Sequence, residues 1–319
     1  MKKLIAIVAG EPNSINSEII AKAWKSKSTK KNLFIIGNYE LFKKQINKIG
    51  IKIKTQKIDS IAKIKNKKYL YILDVPLKYK SLFKCSVADT KKYVFQSLNI
   101  AHKLAVNKLI KAFINAPVDK KIFNNKYLGV TEYLSSKNKK KNKEVMLIYN
   151  KKLSVVPLTT HLEIKNITKK IKFKLIKQKI LNLNKAYYNL FKKKPKIAIL
   201  GLNPHNSENR KNSVENKIIK PAINKLKKLK ININGPYPAD TVFNKKNKII
   251  FDVIVGMYHD QVLAPFKAIY GYDAINITLG LRYLRISPDH GTAQDIVGLN
   301  IANPRSMIAA IDFLNKTND

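Results

Sequence analysis

The sequence predicts an α/β protein with a largely parallel sheet. Three observations predict it. Short apolar runs of strand length recur along the chain, helix-period segments separate them, and several runs end in polar turns. The 319 residues allow one large domain or two ordinary ones, and 45% apolar residues suffice for a sizeable core.

Taken in order, "KLIAIVAG" reads as a buried strand and "SEIIAKAWK" as the helix after it, with Ser14, Asn16 or Ser17 available as N-cap. "NLFIIGN" and "YLYILDV" are the next strands. From Ala88 to Lys111 apolar residues recur at helical spacing (Val94, Leu98, Ala101, Leu104, Ala105, Leu109), and His102 inside this helix reads as an ordinary partly buried residue. "AFINAPVDKK" is a strand running into a turn. A second long helix covers 167–192 and stops before Pro195. "SSKNKKKNKE" (135–144) reads as an exposed low-complexity loop. "KIAILGLNPH" and "IIFDVIVGMYHD" are strands that end in polar loops, and no internal repeat is visible.

The formal net charge is +43, which raises a nucleic-acid reading. Of the 63 cationic residues, however, only Arg210, Arg282, Arg285 and Arg305 are arginine, and the lysines are dispersed rather than clustered. Nucleic-acid surfaces favour arginine for bidentate contacts. The lysines therefore read as solvated filler, and each arginine as a position that needs a planar fork. By the same logic Asp240, Asp260, Asp289 and Asp295 stand out, because they lie in apolar or turn-forming segments. Cys85 is alone, which excludes a disulfide framework and a cysteine zinc site and fits a cytoplasmic location. The opening "MKKLIAIVAGEP" has an apolar run of only about six residues and reads as a strand, not a signal peptide. No run approaches the roughly 18 apolar residues of a membrane span.

In open α/β sheets ligands bind beyond the carboxyl ends of strands. His161, His205 and His259 each follow an apolar strand, in "TTHLE", "NPHN" and "YHDQ". One such histidine is more often a satisfied core or surface residue, but three in a chain with five histidines suggest a catalytic metal site with an open position. Lys267, Asn276, Arg282 and Arg285 lie near one another in sequence and together suit a phosphate or carboxylate. In "DHGTA", Gly291 allows close approach of a ligand and Thr292 is placed to cap a helix. Neither G-x-G-x-x-G nor G-x-x-x-x-G-K-[ST] occurs, so an NAD site here is not of the Rossmann kind.

"AGEPNSINSE", "APVDK", "GVTEYL", "TTHLEI", "GLNPH", "GPYPADTVF", "MYHDQVLAPFK", "NITLGLRYLRISPDHGTAQDIVG" and "NIANP" occur in this order. On these motifs the chain resembles the 4-hydroxythreonine-4-phosphate dehydrogenase family of pyridoxine phosphate biosynthesis. The resemblance runs essentially the full length. It implies a two-lobed isocitrate/isopropylmalate-dehydrogenase-like fold with mostly parallel sheets and a non-Rossmann NAD site. The expected lobes are a cofactor-side lobe, 1–125 and 270–319, and a central lobe, 126–269, carrying the metal ligands and the dimer contacts.

The resemblance also implies roles. His161, His205 and His259 match metal ligands for Zn, Mg, Mn, Co or Ni. Thr131, Lys267, Asn276 and Arg285 match substrate-binding residues, Thr131 at the phosphate. Asp240, Asp260 and Lys267 match catalytic positions. His290, Gly291, Thr292 and Asp295 match the cofactor pocket, for NAD or NADP. The family is homodimeric with its site between subunits, so ligands can come from both chains. The implied reaction oxidises 4-phosphooxy-L-threonine to a β-keto acid that decarboxylates to 3-amino-2-oxopropyl phosphate.

Two departures bear on the substrate. Val130 stands where the family has a substrate-touching histidine, and "NSENRKNSVE" replaces a glycine-rich stretch. A sister enzyme acting on 4-phospho-threonate or 4-phospho-erythronate is therefore the alternative, with a basic nucleic-acid-binding protein as the distant one.

Overall fold

The computed structural model describes residues 3–26, 32–123, 127–138, 144–244, 251–271 and 273–317. The chain divides into two compact units, Met1–Leu134 with Arg282–Asp319, and Ser135–Leu281.

The first unit carries β1 (Ile5–Val8), β2 (Leu33–Gly37), β3 (Thr55–Ile58), β4 (Leu70–Asp74), β5 (Ala112–Asn115) and β12 (Leu284–Pro288). Their order is β3-β4-β2-β1-β5-β12, and each recorded pairing is parallel. β1, β2 and β5 are buried at every position, as strands covered on both faces must be. The covering helices are α1 (Asn16–Lys25), α2 (Tyr39–Lys48), α3 (Val87–Val106) and the C-terminal helix α10 (Arg305–Lys316). Asn38 caps α2 by accepting from the Leu41 N–H, and Ser86 caps α3 by accepting from the Asp89 N–H. α1 departs from expectation: Ile15 is its N-cap and no side chain caps it. Ser14 Oγ instead accepts from the Asn16 N–H, and Asn16 Nδ2 donates to the carbonyls of Ala9 and Pro117. The "NIANP" stretch docks on α1, where Glu18 accepts from the Ala302 N–H and Lys22 donates to the carbonyls of Asn300 and Ala302.

The second unit carries β6 (Val145–Tyr149), β7 (Ser154–Pro157), β8 (Ile197–Leu200), β9 (Ile233–Tyr237), β10 (Val253–Gly256) and β11 (Ile275–Leu279), in the order β11-β6-β7-β10-β8-β9. β7, β10, β8 and β9 run parallel, but β6 is antiparallel to both neighbours. A short turn from Tyr149 to Ser154, closed by the Asn150 N–H on the Leu153 carbonyl, reverses the chain and allows no crossover helix.

The helical stretch expected over 167–192 is two helices, α5 (Ile164–Lys170) and α6 (Phe173–Phe191). Ile171 and Lys172 are extended between them, and α6 ends on Lys192 in the left-handed conformation. The expected loop 135–144 is also corrected in part. α4 (Val130–Lys137) runs into it, and Ser135 and Asn138 are buried. Residues 139–143 of that stretch, and 249–250 of the expected strand before Asp252, lie outside the described residues. Among the described residues no helix is long and apolar enough to cross a membrane.

Candidate active site

The three strand-end histidines follow β7, β8 and β10, which are consecutive neighbours in the second unit. Parallel strands end on the same side, so imidazoles far apart in sequence leave the sheet at one edge. β7 and β10 stay in register past their ends: the N–H groups of Leu158 and Thr159 donate to the carbonyls of Gly256 and Met257, and Thr159 Oγ1 donates to Met257 O at 2.7 Å. This brings the rings of His161 and His259 to 5.9 Å between centroids, tilted by 34°.

His259 opens α9 (His259–Tyr270), and its Nδ1 lies 2.7 Å from Asp260 Oδ1. A carboxylate on one imidazole nitrogen fixes the tautomer and leaves the other for a metal. Gln261 braces the same turn. Its Oε1 accepts from the Met257 N–H, and its Nε2 donates to Gly201 O, tying the end of β10 to the end of β8. Gly256 is required there, because a Cβ would lie 2.5 Å from Val262 Cγ1.

His205 is exposed and follows β8 in an unusual segment. Five consecutive non-glycine residues, His205 to Asn209, have φ between 47 and 60°. That region is costly for L-residues. The segment is held from one side by Glu215, whose carboxylate is 0% exposed. It accepts from the N–H groups of Leu202 (2.9 Å) and Asn203 (2.8 Å), from Asn203 Nδ2 (3.1 Å) and from Ser207 Oγ (3.0 Å). Burial pushes this carboxyl up, but the hydrogen bonds from Asn203, its own backbone and Ser207 outweigh it, and its pKa is lowered. Among the described residues no group of three or more His, Cys, Asp and Glu side chains is gathered to hold a metal ion.

The other second-unit candidates are spread. Lys267 is exposed in the last turn of α9, about 12 Å along the helix from His259 at 1.5 Å per residue. Asp240 is exposed in the short helix α8 (Ala239–Val242). Asn276 lies on β11 with its Oδ1 buried and without a hydrogen-bond partner.

In the first unit Arg285, 3% exposed on β12, is held by Asn115 and Thr131 among its contacts. Its Nε donates to Asn115 Oδ1 at 2.5 Å, and its Nη1 donates to Thr131 Oγ1 at 3.0 Å. Burial pulls the guanidinium down to about 10, against the fields of Glu132 and Tyr283, and it stays charged at neutral pH. Val130, beside Thr131, is buried. His102 accords with its reading as a partly buried residue, with Nδ1 2.8 Å from Tyr283 Oη. Of the "DHGTA" residues, Gly291 faces open space, where an added Cβ would meet nothing within 4 Å. Thr292 does not cap the turn Gln294–Ile296: Ala293 occupies that position, and the Thr292 carbonyl accepts from the Ile15 N–H. His290 Nδ1 lies 3.0 Å from Gly291 O, and Asp295 is exposed. Glu215, Gln261 and Asn115 were not among the residues expected from sequence; each was visible there only as an unremarkable polar residue of a loop, a helix and a strand end.

The fold is that of the isocitrate dehydrogenase class. Isocitrate dehydrogenase from Methylococcus capsulatus, 13% identical, aligns over 99% of this chain and 85% of its own with a TM-score of 0.51. Residues 29–314 match the model of the family "Pyridoxal phosphate biosynthetic protein PdxA", and the chain belongs to that family. It is 38% identical to the 4-hydroxythreonine-4-phosphate dehydrogenase of Sulfurihydrogenibium sp. (strain YO3AOP1), over 97% of this chain and 96% of that one. It is 36% identical to the enzyme so named from Wigglesworthia glossinidia brevipalpis, over 97% and 95%. The crystal structure of 4-hydroxythreonine-4-phosphate dehydrogenase from Klebsiella pneumoniae, 28% identical, covers 98% of this chain and 99% of its own with a TM-score of 0.87.

Proposed function

We propose that the protein is an NAD- or NADP-linked 4-hydroxythreonine-4-phosphate dehydrogenase. It oxidises 4-phosphooxy-L-threonine to a β-keto acid, which loses CO2 to give 3-amino-2-oxopropyl phosphate in vitamin B6 biosynthesis. The observation that carries the reading is the buried Arg285 bonded to Thr131 in a member of this family. A buried guanidinium held by a hydroxyl and an amide is a ready receptor for a phosphate. Thr131 and Arg285 hold the phosphate, and Lys267 and Asn276 orient the rest of the substrate. The alcohol's proton leaves to Asp260 or Lys267. His290, Gly291, Thr292 and Asp295 receive the dinucleotide.

The donors His161, His205 and His259 fit a divalent cation in their chemistry: all three are imidazoles, two are ring neighbours, and one carries a carboxylate on its far nitrogen. In the expected homodimer both copies would contribute donors to the set. When bound, the cation acidifies the alcohol and stabilises developing enolate charge, and the nicotinamide accepts the hydride.

The test is NAD(P)H formation at 340 nm from purified 4-phosphooxy-L-threonine; no turnover with a divalent metal supplied overturns the assignment. The apolar Val130 favours one second reading, oxidation of 4-phospho-threonate or 4-phospho-erythronate, and a higher kcat/KM with those acids in the same assay selects it.

A further inference from the structure

We propose that Asn115 is a positioning residue that sets the plane of the Arg285 guanidinium and keeps its charge available for the substrate's phosphate. The inference rests on the reading of Arg285 as the arginine that grips that group. β5 and β12 are parallel neighbours with Phe113 opposite Arg285, so Asn115, two residues on, projects from the same face. Both side chains are buried, at 2% and 3% exposure. Asn115 Nδ2 donates to its neighbour's carbonyl, Ala116 O, at 3.3 Å, which turns Oδ1 toward Arg285. Oδ1 takes the Nε–H, the donor on the stem side of the fork, and Thr131 takes an Nη1 hydrogen. Two contacts on different nitrogens fix the plane of a rigid guanidinium, and a fixed plane is what bidentate phosphate recognition requires.

The chemistry of the acceptor matters as much as its place. An aspartate here would make the same bond with a full negative charge. It would stabilise the buried cation and compete with the phosphate for it. Asparagine supplies the geometry without that competition. A residue of purely structural importance would have no reason to prefer the amide, so stability and anion affinity should move in opposite directions on substitution.

The experiment measures inorganic phosphate binding by calorimetry and thermal midpoints for the full-length protein and its variants. Asn115→Asp should melt at or above the parent temperature and bind phosphate at least about tenfold more weakly. Asn115→Ala, which releases the Nε–H, should also lose about tenfold, whereas Asn115→Ser, which restores a neutral acceptor, should recover most of the affinity. In turnover these losses should fall on KM for the phosphorylated substrate, with kcat within about twofold. Parent-like phosphate affinity in both Asn115→Asp and Asn115→Ala, with Arg285→Ala unable to bind, overturns the role of Asn115 and leaves Arg285 in place. Parent-like affinity in Arg285→Ala overturns the underlying reading instead. If Asn115→Asp does not fold, the Ala and Ser variants decide the matter: equal phosphate affinity in the two refutes the proposal.

Discussion

Glu215→Ala removes the acceptor that four donors of the loop after β8 share. The side chain of Asn203 and the hydroxyl of Ser207 can turn to water, but the backbone N–H groups of Leu202 and Asn203 cannot move without the loop. Leaving those two unpaired costs about 2–4 kcal/mol at 1–2 kcal/mol each. For a chain of this size that lowers the melting temperature by roughly 3–6 °C. The carboxylate should also show itself through pH. Its folded pKa lies below the ordinary 4.5, so its stabilisation is fully present above that value and is lost as pH falls through the folded one. Glu215→Gln keeps the shape and loses the charge. The assay is thermal unfolding by circular dichroism of the parent, Glu215→Gln and Glu215→Ala between pH 7 and pH 3.5. A gap between parent and Gln at pH 7 that narrows in acid is expected. No gap at pH 7, or one that persists unchanged in acid, would show that the charge does not hold the loop.

Three further outcomes are expected. Glu208→Gly relieves one left-handed residue (φ 47°) and should raise the melting temperature by about 1.5–3 °C, since that conformation costs an L-residue roughly 1–2 kcal/mol; a drop would mean Glu208 makes a contact worth more than its strain. Gly10→Ala should destabilise severely, by at least about 2 kcal/mol, because at φ 73° its Cβ would sit 2.6 and 2.7 Å from the carbonyl oxygens of Pro117 and Ala116; an unchanged urea midpoint refutes this. Burial pushes the Cys85 thiol up to about 11, with the charges of Glu11 and Asp89 adding to it. At pH 8 it should react with a thiol reagent at least about a hundredfold more slowly than in the urea-unfolded chain, and equal rates would count against its burial.

Much of the first unit was legible because buried parallel strands are uninterrupted apolar runs, as in "IAIV" and "AFIN". The histidines could be placed at strand ends for the same reason. That their strands are adjacent could not be read, because strand order is a property of crossovers and not of any local pattern. β3, "TQKI", has two exposed residues and no apolar run, so it left no signal. The break between α5 and α6 falls at Ile171-Lys172 without glycine or proline, in residues that suit a helix as well as a strand. Glu215 and Asn115 were illegible for a different reason. Their importance lies in what they accept hydrogen bonds from, and those donors lie 8–13 and 170 residues away.

The chain leaves the first unit after Leu134 and returns to it only at Arg282. Ribosomes add about 5–20 residues per second, so β5 waits roughly 8–34 seconds for the strand that completes its neighbourhood. The intervening segment is contiguous and meets no such delay. A polypeptide released between residues 259 and 285 would therefore bear His161, His205 and His259 but lack Arg285. Such a product would leave β5 with an open edge where β12 belongs, a template for unwanted strand pairing.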